Sequence, residues 1–372
     1  MSDLSLASLL KISTFSRGIR LDGAAVEQLT EGGAYPLSLH EYATTGGVTF
    51  FAEGSVYINA PFDEWYCTDP EAVLTFDPTP QAFVVLFRGE ELRVRTLPLP
   101  GYLREVDAAG RLVTEVAMSH GDRLRLSPIA GCSLDCAFCD MAGRTYNLRS
   151  AERLVAAMGV ALADSRLPVS HVLLSGGTPT RRDFGYYDEL CARVIEAAPV
   201  PVDVMMVPRP DVGWIDRLVE VGVSGFAINL EVYGDAAAAS ITRLKHRIGT
   251  DVFVRNLERA VELTGGHGRV RSLLLVGLEP MEDTLAGVEF VAKLGCDPVL
   301  SPFRPAPGTP LAARRPPSAE FQERLFLEAR DIVERHGVKL GPRCVACQHN
   351  TLTIPDGSAD YFTSWSEQPR PA

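Results

Sequence analysis

From residue 122 onward, apolar positions follow two alternating rhythms. Short, nearly continuous apolar runs occur at RLRLSPI (123–129), HVLLSGG (171–177), VDVMMV (202–207), VSGFAINL (223–230), RVRSLLLVG (269–277) and DPVLSPF (297–303). Between them lie stretches with apolar residues three and four apart: 150–165, 182–198, 211–222, 250–265, 281–295 and 318–337. The first kind predicts buried strands and the second amphipathic helices. Ser150 and Asp183 stand where helices should be capped, and Gly222, Gly295 and Gly337 where they should stop. Six strand-then-helix units in a row require parallel strands with right-handed crossovers, so the prediction is α/β, a partial (β/α)6 TIM-type barrel. A flat doubly wound sheet shares the pattern and stays open.

The first 115 residues read differently. Most of this length lacks helical periodicity, and runs such as GGVTFFAEGSVYINA (46–60) and AFVVLFRG (82–89) are split by Gly and Pro turns. Residues 1–115 therefore form an N-terminal β-rich or α+β accessory domain, 122–315 the core barrel, and 316–372 the last barrel helix and a short cysteine-containing extension. That extension is expected to hold a short strand and a loose polar tail ending EQPRPA.

Composition narrows the function. The chain has 372 residues and a net charge of −11, so nothing draws it to phosphate backbones or acidic membranes, and nucleic acid is disfavoured as a partner. The apolar N-terminal stretch carries Asp3 and Lys11 and lacks a cleavage site, and no run approaches the ~20 apolar residues of a membrane span. A cytoplasmic location follows. Eight cysteines, three clustered and two in C-x-x-C, indicate metal ligation in a reducing compartment rather than a disulfide framework. Cys67, Cys191 and Cys296 stand alone and read as small buried hydrophobes.

The segment SPIAGCSLDCAFCDMAG (127–143) holds Cys132, Cys136 and Cys139. Structural zinc usually takes four protein ligands, and no fourth Cys or His lies nearby. An iron–sulfur cube accepts three local thiolates on three irons and leaves the fourth iron open. C-x3-C-x2-C just after the first barrel strand, with Phe138 before the last Cys, resembles the radical S-adenosylmethionine (SAM) superfamily, closest in motif style to biotin synthase-type members. The resemblance implies a [4Fe–4S] cluster on these three cysteines. It also implies SAM held on the open iron and cleaved by an electron to a 5′-deoxyadenosyl radical, and an external donor such as flavodoxin or ferredoxin. Active sites at the C-terminal ends of barrel strands fit the same placement.

The resemblance extends over residues 122–315. LLSGGTPT (173–180) places Gly176, Gly177 and Thr178 where the family approaches the SAM amino group through backbone. In INLEVYGD (228–235), Asn229 and Glu231 share a face and are similar to the pair that holds the SAM ribose hydroxyls. Arg247 or Arg243 is a candidate for the SAM carboxylate, and Val276, Gly277 and Leu278 for the adenine. Arg304, in SPFRPAPGTPL (301–311), is a candidate for a substrate carboxylate or phosphate, with a salt bridge as the equal alternative.

Cys344 and Cys347, followed by His349, leave four readings open: an auxiliary cluster, a zinc site completed by Cys67 or a distant His, a redox or substrate-contacting pair, or an inert one. The family resemblance favours a small-molecule substrate, with a peptide or RNA as the alternative. A non-catalytic iron–sulfur carrier is the alternative of another class.

Overall fold

The computed structural model describes residues 4–33, 46–53, 56–358 and 360–361; the polar tail after 361 lies outside them. The six strands expected from the apolar runs all form: β8 (Arg123–Leu126), β11 (His171–Leu174), β12 (Val202–Met205), β13 (Gly225–Ala227), β14 (Val270–Val276) and β15 (Asp297–Pro302). They pair in parallel in the order β15-β14-β13-β12-β11-β8. β7 (Ala117–His120) adds antiparallel to β8 at one edge. A short ribbon of β9 (Ile129–Ala130) and β10 (Asn147–Leu148) brackets the cysteine loop. The result is a partial TIM-type barrel, not a flat doubly wound sheet.

The crossover helices are α3 (Ala151–Leu162), α4 (Phe184–Ala197), α5 (Gly213–Glu220), α8 (Thr250–Thr264), α9 (Met281–Lys293) and α10 (Ala319–Arg335). Ser150 and Ser318 cap α3 and α10 with side-chain oxygens that accept from Arg153 N and Phe321 N. Asp183 makes no such cap for α4; its carboxylate accepts from Tyr146 and Thr180 instead. Alternate strand residues face these helices: Val270, Leu274 and Val276 enter the main core, whereas Arg271, Leu273 and Leu275 face a cavity inside the barrel. Each apolar side chain buried on the helix side contributes about 1.5–3 kcal/mol.

The N-terminal domain is a mixed sheet in the order β1-β4-β5-β6-β2-β3. Its strands are β1 (Arg20–Leu21), β2 (Val48–Ala52), β3 (Val56–Ala60), β4 (Val73–Asp77), β5 (Ala82–Phe87) and β6 (Glu90–Thr96). The expected runs at 46–60 and 82–89 appear as the β2–β3 hairpin and β5. Two helices that periodicity did not show precede and flank it, α1 (Leu6–Arg17) and α2 (Gly23–Glu31). In α1, Lys11, Ser13 and Thr14 are buried along with the apolar residues, so no polar stripe marks the helix.

The extension contains no strand among the described residues. Residues 338–354 instead run beside β15, with Gly341 N donating to Pro298 O (2.9 Å) and Leu352 N to Leu300 O (2.8 Å). Across the gap, Asn59 N of β3 donates to His349 O (2.7 Å), and buried Lys11 Nζ donates to Gln348 O (2.9 Å) and Thr353 O (2.8 Å). This segment, backed by the N-terminal sheet, closes the open side of the barrel.

Candidate active site

The cysteine loop follows β9, at the C-terminal ends of the barrel strands. It is anchored at both sides: Ser133 N donates to Thr178 O (3.0 Å) and Ala137 N to Ile241 O (2.8 Å). Two backbone N–H groups, those of Leu134 (3.3 Å) and Thr178 (3.1 Å), donate to Cys132 Sγ. Such donors suit a thiolate. Burial pushes the Cys136 thiol up to about 12 and the Cys139 thiol up to about 11, so these sulfurs would carry charge only beside a cation. Phe138 borders the cavity and packs with Val232, Ile241, Leu278 and Phe303.

The glycine segment explains the fixed position of the loop. A Cβ on Gly177 would lie 1.7 Å from Gly131 O and 3.0 Å from Cys132 Cα, whereas one on Gly176 would meet Ile129 O at 3.4 Å. Gly177 is therefore required by the contact between the strand end and the cysteine loop itself. Thr178 contributes its backbone at Cys132, as above.

Asn229 and Glu231 both line the cavity. Asn229 Oδ1 accepts from Leu273 N (3.2 Å), and its Nδ2 is 3.6 Å from Met205 Sδ. Glu231 holds a positive φ of 72°, costly for a residue with a side chain, and is pinned by backbone bonds to Leu273 and Leu275. Its carboxylate pairs with Lys245 Nζ at 3.1 Å, and Lys245 also donates to Asn229 O (3.0 Å). Burial pulls the Lys245 ammonium down, yet Glu231 and Cys136 pull it up further, and it sits above its ordinary value. Lys245 is the buried cation that the sequence reading missed.

The arginines of this segment lie elsewhere. In the short turn formed by α6 (Asp235–Ile241) and α7 (Arg243–His246), Arg247 is exposed just past the helix end, and Arg243 pairs with Asp135 of the cysteine loop. The strand pleat likewise turns Val276 into the helix-side core, so Leu273 and Leu275 line the cavity in its place. Gly277, at φ 94°, sits against Pro317, and Leu278 is buried beside Phe138. Arg304 borders the cavity, but its guanidinium donates to Asn59 Oδ1 (2.6 Å), Asn59 O and Gly46 O (3.3 Å) and stacks over Phe15. It joins the two domains.

The cavity measures about 250 Å³ and runs the length of the barrel. Phe138 and Glu231 border one end. Arg123, Arg125, Arg271 and Cys347 border the other. Arg271 pairs with buried Asp203 at 2.6 Å. Cys347 and Cys344 are brought together by a single 3-10 turn, Val345–Gln348, in which Cys347 N donates to Cys344 O (3.0 Å). Both are buried; among the other lone cysteines Cys191 and Cys296 are buried as expected, and Cys67 is half-buried.

Residues 126–291, spanning the cysteine loop, the glycine segment and the Glu231 strand end, match the model of the radical SAM superfamily. The chain carries a radical SAM domain. No curated protein sequence matches it. Among solved structures, it is similar to a radical SAM methyltransferase from Sphaerobacter thermophilus at 20% identity, over 72% of this chain and 75% of that one, with a TM-score of 0.46. It is similar to methylornithine synthase at 17% identity, over 68% and 78%, with a TM-score of 0.49. The [FeFe]-hydrogenase maturase HydG from Carboxydothermus hydrogenoformans is 15% identical over 62% and 56%, with a TM-score of 0.46. Enzymes of the family matched by residues 126–291 use a [4Fe–4S] cluster and SAM and take an electron from a donor. Among the described residues, no helix is long and apolar enough to cross a membrane.

Proposed function

We propose that Cys132, Cys136 and Cys139 ligate the [4Fe–4S] cluster and that SAM lies across Gly176, Gly177, Thr178, Asn229 and Glu231. The single observation that carries this is the cavity, which begins at Phe138 and Glu231 beside the cysteine loop and runs into the barrel. The cysteine loop fits the cluster: its one fully donated thiol, Cys132, receives two N–H groups, and buried Lys245 lies near Cys136. The three sulfurs also do not gather to the spacing of ligands around one ion, which among the described residues only another group does.

Cys132, Cys136 and Cys139 would hold the cluster, which would supply the one electron needed for reductive cleavage of SAM to methionine and a 5′-deoxyadenosyl radical. The chain's own residues then orient and exclude. Glu231 presents a carboxylate oxygen to hydroxyl donors while Lys245 holds it in place. Phe138, Leu273 and Leu275 wall the reacting carbon from water. The segment at 338–354 and the N-terminal sheet cover the barrel, so a cavity of about 250 Å³ favours a small molecule over a peptide or RNA. The donor is of the flavodoxin or ferredoxin kind. Eight free cysteines support a cytoplasmic location.

The test is anaerobic reduction of the iron-loaded protein with SAM. Formation of 5′-deoxyadenosine, lost in Cys136→Ala together with cluster absorbance, is the expected result; an intact cluster with no 5′-deoxyadenosine would overturn the reading.

A further inference from the structure

The far end of the cavity holds a second cluster of ligand atoms. His171, at the start of β11, meets Cys344 and Cys347 so that one nitrogen and two sulfurs all lie within 4.8 Å of one another, and all three residues are buried. His171 Nε2 is 3.2 Å from Cys347 Sγ. The spacing is that of ligands around one ion.

The imidazole is also oriented for ligation. Ser170 Oγ donates its one proton to Asp122 Oδ2 and lies 3.4 Å from His171 Nδ1, so its oxygen can only accept from that nitrogen. Asp122 Oδ1 is itself 3.8 Å from Nδ1. Nδ1 thus carries the proton, and the Nε2 lone pair faces the two thiols. Carboxylates that fix the ring of a ligating histidine in this manner are a regular part of metal sites. Tyr57, Val345 and Ala346 pack around the thiols and keep the site dry.

We propose that His171, Cys344 and Cys347 bind one thiophilic divalent ion, zinc, whose fourth position opens into the barrel cavity. Two thiolates and an imidazole select zinc over hard cations. Three protein ligands with one open position is the arrangement of a reactive rather than a closed structural zinc. Of the three ligands, Cys347 borders the cavity, which sets the side on which the fourth position opens. β11 runs from His171 to Leu174 and the glycine segment follows at 176, so His171 and the glycine segment lie roughly 13–17 Å apart along the strand, by about 3.3 Å per strand residue. An ion there anchors a nitrogen, oxygen or sulfur donor of the substrate at the end away from SAM. That anchoring role rests on the function proposed above; the binding of zinc does not.

The experiment is zinc and iron analysis of the full-length protein purified anaerobically, followed by removal of zinc with a chelator and titration with Co²⁺. One zinc per chain is expected, falling at least 10-fold in Cys347→Ser and in His171→Ala, while four irons per chain remain and Cys67→Ser keeps its zinc. The Co²⁺ form should show thiolate charge-transfer absorption and tetrahedral bands that shift on adding azide. A Co²⁺ spectrum indifferent to azide would overturn the open position. Absence of zinc and of any Co²⁺–thiolate band in the wild-type protein would overturn the site, as would iron near eight per chain or recovery of Cys344 and Cys347 as a disulfide. Loss of 5′-deoxyadenosine formation with zinc retained would instead refute the cysteine-loop assignment.

Discussion

Gly177→Ala is the sharpest probe of how the glycine segment and the cysteine loop depend on each other. The new methyl carbon would start 1.7 Å from Gly131 O, and Cβ atoms essentially never approach within 3.0 Å, so the two backbones must separate by at least 3.0 − 1.7 = 1.3 Å. Neither side is a flexible side chain. Gly131 is at φ 71° with Arg144 O and Tyr146 behind it, and cannot retreat freely. Overpacking of this kind costs about 1–3 kcal/mol, and a displacement near 1 Å at a reacting centre can cost ~100-fold in rate. Thr178 N and Leu134 N would also lose their aim at Cys132 Sγ. The assay is iron content and the initial rate of 5′-deoxyadenosine formation, with folding followed by circular dichroism. The account expects a folded barrel, reduced iron and a rate down by about two orders of magnitude. Gly185→Ala, on α4 with nothing within 4 Å of the new carbon, is the control and should match wild type. Wild-type iron and rate in Gly177→Ala would refute the reasoning.

Lys245→Met leaves the half-buried Glu231 carboxylate without its partner and should destabilise the protein by about 1–3 kcal/mol, read from urea unfolding, while weakening SAM binding; an unchanged midpoint would contradict the pairing. Arg304→Met should loosen the N-terminal domain, seen as faster proteolysis before residue 115, with SAM cleavage in the absence of substrate within about two-fold of wild type. A selective loss of SAM cleavage there would show that Arg304 belongs to the reaction and not to the domain contact. Lys11→Met strands the carbonyls of Gln348 and Thr353 and should lower stability by roughly 2–4 kcal/mol, with hydrogen exchange rising first in residues 341–354.

The core barrel was legible because its signals are local. Each strand run and its following helix lie within about 45 residues, and the three cysteines fall within eight positions, so spacing alone places them on one loop. What escaped the sequence depends on contacts distant along the chain. His171 is 176 positions from Cys347, and nothing at HVLLSGG distinguishes a ligand from a core histidine. Lys245 lies on a four-residue helix and Arg247 just past its end, a segment too short for periodicity to show which one turns inward. Val276 was misjudged by one step of the pleat, which reverses the face. The N-terminal helix α1 was missed because tertiary burial on nearly all sides, including Lys11, removes the polar stripe by which a helix is recognised. The strand expected after residue 338 gave way to an irregular segment because its backbone bonds are divided between β15 and β3.

The central claim is that the cysteine loop holds a cluster with one iron open to SAM. Electron paramagnetic resonance of the reduced protein, with and without SAM labelled with ¹⁵N at the amino group, tests it most directly. The account predicts a spectrum that shifts on adding SAM and shows hyperfine coupling to the labelled nitrogen. A reduced-cluster spectrum that is identical in both samples, with four irons per chain present, would contradict it.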